Sequence, residues 1–246
     1  MSTLLSRRDQ HGFSLVELSI VVAVLGVMTY AVTAAFANVQ GYRQHKQAEA
    51  NAQSAYAAVR AFALRNRRLP CPDTSSGGHL QREPSGTCTQ ASGWLPYESI
   101  GLSTPAESTR MRYGIYLQGA VNLAAPAPAA SDGLDLDGVG GFLNALSSAA
   151  KASPNTLSPH YLQAPPSTST ITCSGGALTN PAFVIIAPAT DIGGNGDRFE
   201  SVNHSFGIGG SHCTTSPSRR PDAALDDVVV AESPNALLGW LSASLR

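Results

Sequence analysis

The N-terminal part of the chain divides into a short polar segment and a long apolar one. Residues 1–12 are polar and include Arg7 and Arg8, whereas residues 13–39 contain a single charged side chain, Glu17. A helix of about 20 apolar residues crosses the hydrocarbon core of a bilayer. Basic residues ahead of such a helix favour an N-terminus that stays in the cytoplasm. The pattern therefore predicts a single membrane-spanning helix, with the rest of the chain exported.

Residues 40–68 continue the helical pattern with a different distribution of side chains. Apolar and small residues recur at spacings of three and four, which places them along one stripe opposite polar side chains. The stripe comprises Ala48, Ala52, Ala55, Tyr56, Val59, Phe62 and Ala63. Pro70 disfavours helix in the residue before it, so the helix is expected to end near Asn66 to Arg68. A helix from Phe13 to about Asn66 would be roughly 80 Å long.

The last turns of this helix are crowded with arginine side chains: Arg60, Arg65, Arg67 and Arg68. Positive side chains stabilise the negative end of the helix dipole, so we interpret them mainly as part of a helix terminus. A basic site for a binding partner is the alternative.

From residue 69 onward the chain consists of short segments separated by Gly, Pro, Ser and Thr. Strands are predicted at 112–118, 170–173, 182–187 and 227–231, and short helices at 139–151 and 235–245. Because these strands are few and short, we expect a small antiparallel sheet. Residues 119–132 are rich in Pro and Ala and are interpreted as a linker or loop. The predicted fold class is α+β, with the long N-terminal helix packed on a head, 69–246, that has long loops.

The composition narrows the classes of function. Lys and Arg number 16 against 17 Asp and Glu, and without residues 1–12 the counts are 14 and 16. This balance lacks the positive charge that phosphate binding requires, so no nucleic-acid partner is expected. The 43% of hydrophobic residues excludes a disordered polymer. Hydrolase, zinc-protease and nucleotide-loop motifs do not occur, so we assign no catalytic residue and expect no cofactor.

Gly12, Phe13 and Glu17 stand at a distinctive spacing, after a basic leader and at the start of the apolar run. The segment GFSLVEL resembles the cleavage and methylation site of type IV prepilins and type II secretion pseudopilins. This resemblance implies that prepilin peptidase cuts after Gly12 on the cytoplasmic side, and that Phe13 becomes the N-methylated first residue. It also implies a pilin-like fold. The other implied partners are further pilin or pseudopilin subunits and an inner-membrane assembly platform.

Glu17 would be the fifth residue of the processed chain. The resemblance implies that its carboxylate neutralises the positive amine of a neighbouring subunit inside a filament, where such a pair is costly to break. One alternative is that Glu17 lies near the bilayer interface and reaches water. A secretory signal cleaved near residues 34–37 is a second alternative. The third is an uncleaved anchor that holds a periplasmic enzyme or receptor.

Later segments resemble one subgroup of prepilin-like proteins. They are the RLPCPD run at 68–73, Cys88 with the GWLP run at 93–96, the runs at 182–186 and 194–196, and the run at 226–229. Beside this resemblance, residues 119–170 are interpreted as an insertion. A large, loop-rich head suits a low-copy, minor subunit better than a densely repeated one. The implied location is the inner membrane with the head in the periplasm, followed by a type IV pilus or a type II secretion pseudopilus.

Four cysteines follow the predicted membrane span, in the part of the chain that would be exported and so able to form disulfides. Proximity along the chain favours the pairs Cys71–Cys88 and Cys173–Cys213 among the three possible pairings. Free thiols and a zinc site are the alternatives, and zinc is disfavoured because no C-x-x-C spacing occurs.

Two acidic loops are candidates for calcium binding through carboxylate oxygens. Their residues are Asp132, Asp135 and Asp137 in the first loop and Asp191, Asn195, Asp197 and Glu200 in the second. A solvated loop is the favoured interpretation of the first, because the EF-hand spacing is not met. A turn at Asn195-Gly196 is the favoured interpretation of the second. We therefore assign no metal.

Overall fold

The computed structural model describes residues 14–75, 77–81, 87–119, 121–125, 140–162, 173, 177–194, 196–207, 211–222 and 224–244. The chain divides into two compact units, a first unit Met1–Arg43 and a second unit Gln44–Arg246. The long helix α1, Leu15–Asn66, contributes to both.

The described residues form the helix α1, short helices and small antiparallel sheets, which confirms the α+β class. The other helices are α2 Tyr97–Ile100, α3 Phe142–Lys151, α4 Ser201–Ser205 and α5 Pro234–Ser244. The strands are β1 Ser92–Trp94, β2 Arg112–Ile115, β3 Leu117–Gln118, β4 Val121–Asn122, β5 Tyr161–Leu162, β6 Leu178–Thr179, β7 Phe183–Ala187 and β8 Val228–Glu232.

Helix α1 ends where the local sequence predicts. Arg67 adopts a left-handed backbone conformation with φ 51°, and its N–H donates to Ala63 O at 3.0 Å. A left-handed residue directly after the last turn ends a helix. Pro70, three residues further along, cannot continue it. The predicted end near Asn66 is confirmed.

A four-stranded antiparallel sheet in the order β1-β2-β7-β8 forms the centre of the second unit. Strand β7 lies between β2 and β8, and all five of its residues are buried. Phe183 and Ile185 belong to the larger hydrophobic core, while Val184 and Ile186 belong to a smaller core that contains Phe199. Strand β7 is therefore apolar at every position because both of its faces are covered.

The larger core contains the apolar stripe of helix α1. Six of the predicted stripe residues are at most 5% exposed: Ala48, Ala52, Ala55, Val59, Phe62 and Ala63. The seventh, Tyr56, is partly buried and packs against Phe183 with ring centroids 5.6 Å apart. The periodicity of residues 40–68 thus identifies the buried face of the helix correctly.

Strand β1 is an element that the sequence pattern does not predict. It has three residues, and its middle residue is Gly93, which disfavours strands in general. A Cβ at Gly93 would lie only 2.7 Å from Asp73 O, so glycine is required where these two backbones approach. Trp94 N–H donates to Asp73 O at 2.8 Å, and this contact holds the strand at the sheet edge.

Part of the region interpreted as an insertion is described, and it contributes to the larger core. Within it, α3 buries Phe142, Leu143 and Leu146. The predicted helices 139–151 and 235–245 are found as α3 and α5, which pack against each other. The strand predicted at 170–173 lies outside the described residues except for Cys173, which is not in a strand.

Candidate functional site

The processing site predicted at Gly12 and Phe13 lies outside the described residues, which begin at Ser14. Ser14 caps helix α1, because its hydroxyl accepts a hydrogen bond from Val16 N–H at 3.3 Å. In return, the Glu17 carboxylate accepts a hydrogen bond from Ser14 N–H at 3.1 Å. This reciprocal arrangement is a capping box, and the spacing S-x-x-E is its sequence signal. Our sequence interpretation of Glu17 considered assembly and the bilayer interface and missed this cap.

The part of helix α1 that follows the cap has no protein cover. Residues Leu15–Thr33 have a mean hydropathy of 2.2, and none of this span is buried. In the part of the chain that the structure describes, it is the one helix long and apolar enough to cross a membrane. Its large apolar side chains range from 49% exposed at Val24 to 85% exposed at Leu15. The predicted span therefore coincides with an uncovered apolar helix.

The serine and threonine hydroxyl groups within this span are hydrogen-bonded inside the helix itself. Ser19 Oγ donates to Val16 O at 2.7 Å, and Thr29 Oγ1 donates to Leu25 O at 2.7 Å. Thr33 Oγ1 donates to Thr29 O at 3.0 Å. An unpaired hydroxyl is costly in an apolar environment, so these internal bonds suit the helix to lipid or to a dry protein core.

The cysteines form the two disulfides that proximity along the chain favours. The Cα atoms of Cys71 and Cys88 are 5.4 Å apart, those of Cys173 and Cys213 are 6.0 Å apart, and no free cysteine is left among these four. One ligand atom of His160 lies within 4.8 Å of both sulfurs of the second pair. Because these sulfurs are bonded to each other, they do not supply the thiolates that zinc requires.

The second acidic loop closes on itself through its own side chains. Gly196 N–H donates to Asp191 Oδ2 at 2.8 Å, and Asp197 Oδ2 lies 2.6 Å from His204 Nδ1. These are the contacts of a turn closed by aspartate side chains. The first acidic loop, including Asp132, Asp135 and Asp137, lies outside the described residues, as does Asn195.

A different set of carboxyl groups converges in the head, namely Glu200, Asp226 and Asp227. One oxygen from each lies within 4.8 Å of the others. Asp227 Oδ2 accepts hydrogen bonds from Asn203 Nδ2 at 3.0 Å and from Glu200 N–H at 3.1 Å. Asp226 accepts one from Thr190 N–H at 3.1 Å. The cluster thereby ties together three chain segments that are distant in sequence.

Burial changes the protonation of this cluster. It raises the pKa of Asp227 to about 8, an effect that repulsion from Glu200 reinforces and the Asn203 hydrogen bond opposes. Burial likewise raises the pKa of Glu200 to about 7, with a smaller contribution from Asp226. Such a donor set is able to share protons or to hold a hard cation. Sequence reasoning missed the cluster, because Glu200 and the Asp226-Asp227 pair are separated by a long loop.

Another buried carboxyl group links helix α1 to strand β8. Glu232 is 2% exposed, accepts a hydrogen bond from the Tyr56 hydroxyl, and lies 3.7 Å from Arg60 Nε. Arg60 also stacks on Trp240, 4.3 Å from the ring centroid. Burial raises the pKa of Glu232 to about 7. The sequence analysis considered Arg60 as part of a basic site for a binding partner. In the structure its side chain instead contacts Glu232 and Trp240 within the head.

Ser92 and His212 form a contact that resembles that of a nucleophile and its base. The Ser92 hydroxyl and His212 Nδ1 are hydrogen-bonded at 2.9 Å. Ser92 is only 1% exposed, and burial together with the neighbouring His160 lowers the pKa of His212. Among the described residues, no carboxylate is hydrogen-bonded to His212 to orient it as in a catalytic triad. The contact ties β1 to the segment that carries Cys213.

The comparisons with known proteins identify the N-terminal segment. Residues 7–32 match the family model described as the prokaryotic N-terminal methylation motif, and the match includes Gly12, Phe13 and Glu17. Comparison with curated proteins and with solved structures finds no significant match to the chain. The matched motif and the uncovered apolar helix together support a type IV pilin-like family, and a precursor of the pilin or pseudopilin type.

Proposed function

We propose that this chain is a minor pilin or pseudopilin, a non-enzymatic structural subunit of a type IV pilus or a type II secretion pseudopilus. The observation that carries the proposal is the methylation motif at residues 7–32, directly followed by an apolar helix without protein cover. The resemblance of residues 68–73 to a subgroup of prepilin-like proteins is consistent with a minor subunit. The large head, with its many loops, agrees with a low copy number.

Processing is the first step of the proposed function. Prepilin peptidase cuts between Gly12 and Phe13, and the new amine of Phe13 is methylated. Ser14 then becomes the second residue of the mature chain, and its N–H already donates to the Glu17 carboxylate. The carboxylate is therefore held at the end of the helix where the new positive amine is created. Attraction between the two charges favours this arrangement at the helix N-terminus.

Assembly is the second step. The head is held in the periplasm, where its two disulfides are stable, while residues Leu15–Thr33 remain in the inner membrane. An assembly platform then transfers this helix from lipid to a bundle with other pilin-type subunits. Its serine and threonine hydroxyl groups need no new partner, because they are hydrogen-bonded within the helix. Glu17 then neutralises the amine of a neighbour, and breaking this buried pair would be strongly unfavourable.

The rival function is that of a periplasmic enzyme or receptor with an uncleaved N-terminal anchor. It predicts a full-length chain whose location does not depend on Gly12 or Glu17. The buried Ser92–His212 pair gives it little support, because the serine is inaccessible to a substrate. Nucleic-acid binding is not part of the proposed function, because the balance of basic and acidic residues lacks the positive charge that phosphate binding requires.

The test is the intact mass and the N-terminal sequence of the membrane-extracted chain, with and without co-expressed prepilin peptidase. We expect a mature chain that starts at methylated Phe13 only when the peptidase is present. Gly12→Val should block cleavage. Gly26→Ala is the matched control in the same segment, where an added Cβ meets no atom within 4 Å, and it should be cleaved normally.

Two outcomes would overturn the proposal. An intact Met1 in the presence of the peptidase favours the uncleaved anchor. Cleavage near residues 34–37 identifies an ordinary secreted protein instead.

A further inference from the structure

An open cavity of about 560 Å³ in the head is lined by aromatic and charged side chains. Its lining includes Trp94, Arg112 and Phe199, together with Arg198, Asp197 and Glu107. Arg112 belongs to β2, next to the edge strand β1 that carries Trp94. The central sheet therefore supplies two of the lining residues, in a part of the head remote in sequence from the N-terminus.

Arg112 is a buried cation within this cavity. Its side chain is 5% exposed, and its guanidinium carbon lies 4.5 Å from the ring centroid of Trp94 and 5.1 Å from that of Phe199. The two aromatic rings hold the planar guanidinium in place and stabilise its charge. They do not, however, accept the hydrogen bonds that its N–H groups offer.

No partner within the described residues accepts those hydrogen bonds. Arg112 Nε is buried without a hydrogen-bond partner, and no described carboxylate lies within 4.0 Å of the guanidinium. Buried polar groups in folded proteins are almost always hydrogen-bonded, and an unpaired buried charge is costly. The unpaired guanidinium N–H groups are therefore available to bind an anionic group.

Two of the three acidic residues near Arg112 are engaged elsewhere, and the third, Glu107, is exposed at the cavity. Asp197 lies against His204, and Asp227 accepts from Asn203 and from a backbone N–H. Burial lowers the pKa of the Arg112 guanidinium, and the carboxyl groups of Asp197 and Asp227 partly offset this effect. The carboxylates of Asp197 and Glu107, which line the cavity, oppose the entry of an ion that carries two or three negative charges. A group with one negative charge is therefore the best match.

We propose that this cavity binds a carboxylate-bearing ligand, with the Arg112 guanidinium as its anchor. A guanidinium offers two parallel N–H groups that fit the two oxygens of a carboxylate. Arg198 supplies a second positive charge at the same cavity, with one of its N–H groups already donated to Ala189 O at 3.4 Å. The carboxylate belongs either to a free organic acid or to an acidic side chain of a neighbouring protein.

Trp94 provides the measurement, because it stacks on the proposed anchor and is one of only two tryptophans. In the detergent-solubilised full chain, Trp240→Phe leaves Trp94 as the sole tryptophan. We would titrate this protein with sodium propionate and with a blocked tripeptide that contains one glutamate. Sodium chloride at matched ionic strength and sodium phosphate serve as control titrations.

We expect a saturable change in Trp94 fluorescence with a carboxylate and none with chloride. Tighter binding of the peptide than of propionate points to a protein-borne carboxylate, and equal binding points to a free acid. Arg112→Lys keeps the charge but loses the paired N–H groups, so it should weaken binding about tenfold or more. Arg110→Lys is the matched control, because Arg110 lies two residues before Arg112 in sequence and does not line the cavity, and it should leave binding unchanged.

An equal response to chloride or to phosphate would overturn the proposal, as would unchanged binding in a folded Arg112→Lys variant. Thermal unfolding establishes whether that variant folds. If it does not, the indole N–H signals of the unmodified protein decide the question by NMR. The Trp94 signal must then shift with carboxylate while the Trp240 signal does not, and the reverse or no shift contradicts the proposal.

Discussion

The two halves of helix α1 meet different surroundings. Between Leu15 and Thr33 large apolar side chains occur all round the helix, and none of the span is buried. Between Ala48 and Ala63 the apolar side chains form one stripe, and that stripe is buried in the larger core. A stripe needs one core, whereas a helix that is apolar all round needs an apolar environment on all sides. One helix thus combines a folded part of the head with a part that must be covered by lipid or by other subunits.

A charge in the buried stripe should have the largest effect on the fold. Ala52 is 0% exposed, and Ala52→Asp places a carboxylate in the core without a partner. We expect the head to lose about 4 kcal/mol of stability, measured by thermal or denaturant unfolding. Asn51→Asp is the control on the exposed face and should change stability by less than about 0.5 kcal/mol. Equal effects of the two substitutions would contradict the assignment of the buried face.

A charge in the uncovered half should leave the head intact and weaken membrane retention. An arginine at the centre of a membrane-spanning helix costs about 3 kcal/mol on insertion scales. Val24→Arg should therefore shift the chain toward the soluble fraction on alkaline extraction while head unfolding stays unchanged. If Val24→Arg lowers the stability of the head as Ala52→Asp does, the contrast between the two halves is wrong.

Stability of the second unit should decrease as the pH rises from about 5 to 8. Asp227, Glu200 and Glu232 have folded pKa values of about 8, 7 and 7, above the ordinary values of 3.8 to 4.5. Between these values the folded state binds more protons than the unfolded state, so raising the pH removes stability, by roughly 1–3 kcal/mol. The pH dependence of the unfolding midpoint measures this effect.

Asp227→Asn removes one of these titrating groups while keeping an oxygen for the hydrogen bonds from Asn203 and Glu200. In this variant, the unfolding midpoint should decrease less steeply as the pH rises. A stability that rises toward pH 8, or a slope that Asp227→Asn leaves unchanged, would refute the protonation of this cluster.

Loss of the helix cap should give the smallest effect, confined to the first turn. Ser14→Ala removes the hydroxyl that accepts from Val16 N–H, and caps of this kind contribute about 1 kcal/mol. Hydrogen exchange should become faster at the first turn and stay unchanged in the head. Ser19→Ala, whose hydroxyl bonds to the carbonyl of Val16 and caps nothing, should leave exchange at the first turn unaltered.

Local periodicity predicted what depends on neighbours in sequence. The end of α1 near Asn66, its buried stripe and the strand at 182–187 follow from spacings that a single helix or strand imposes. Strand β1 could not be predicted in this way, because three residues carry no period and Gly93 is explained only by its contact with Asp73. The sequence pattern likewise did not predict that α3 contributes to the larger core, because this depends on contacts with residues distant in sequence.

The candidate sites show the same division. Gly12, Phe13 and Glu17 were recognisable because the motif is continuous in sequence, and the disulfide pairs follow the shortest connections. Glu200 lies close to Asp226 and Asp227 only in the folded head, so no spacing along the chain predicts that cluster. Arg112 was included in a predicted strand, but its position between two aromatic rings depends on residues far apart in sequence.

On the proposed function, the uncovered half of α1 becomes covered by other pilin-type subunits after processing. A photo-crosslinking amino acid at Val24, which is 49% exposed, tests it in cells that contain the peptidase and the assembly platform. We predict covalent adducts with protein chains that carry the same N-terminal motif, and their loss when Gly12→Val blocks processing. Identical adducts with and without processing, or adducts with lipid alone in both, would contradict the account.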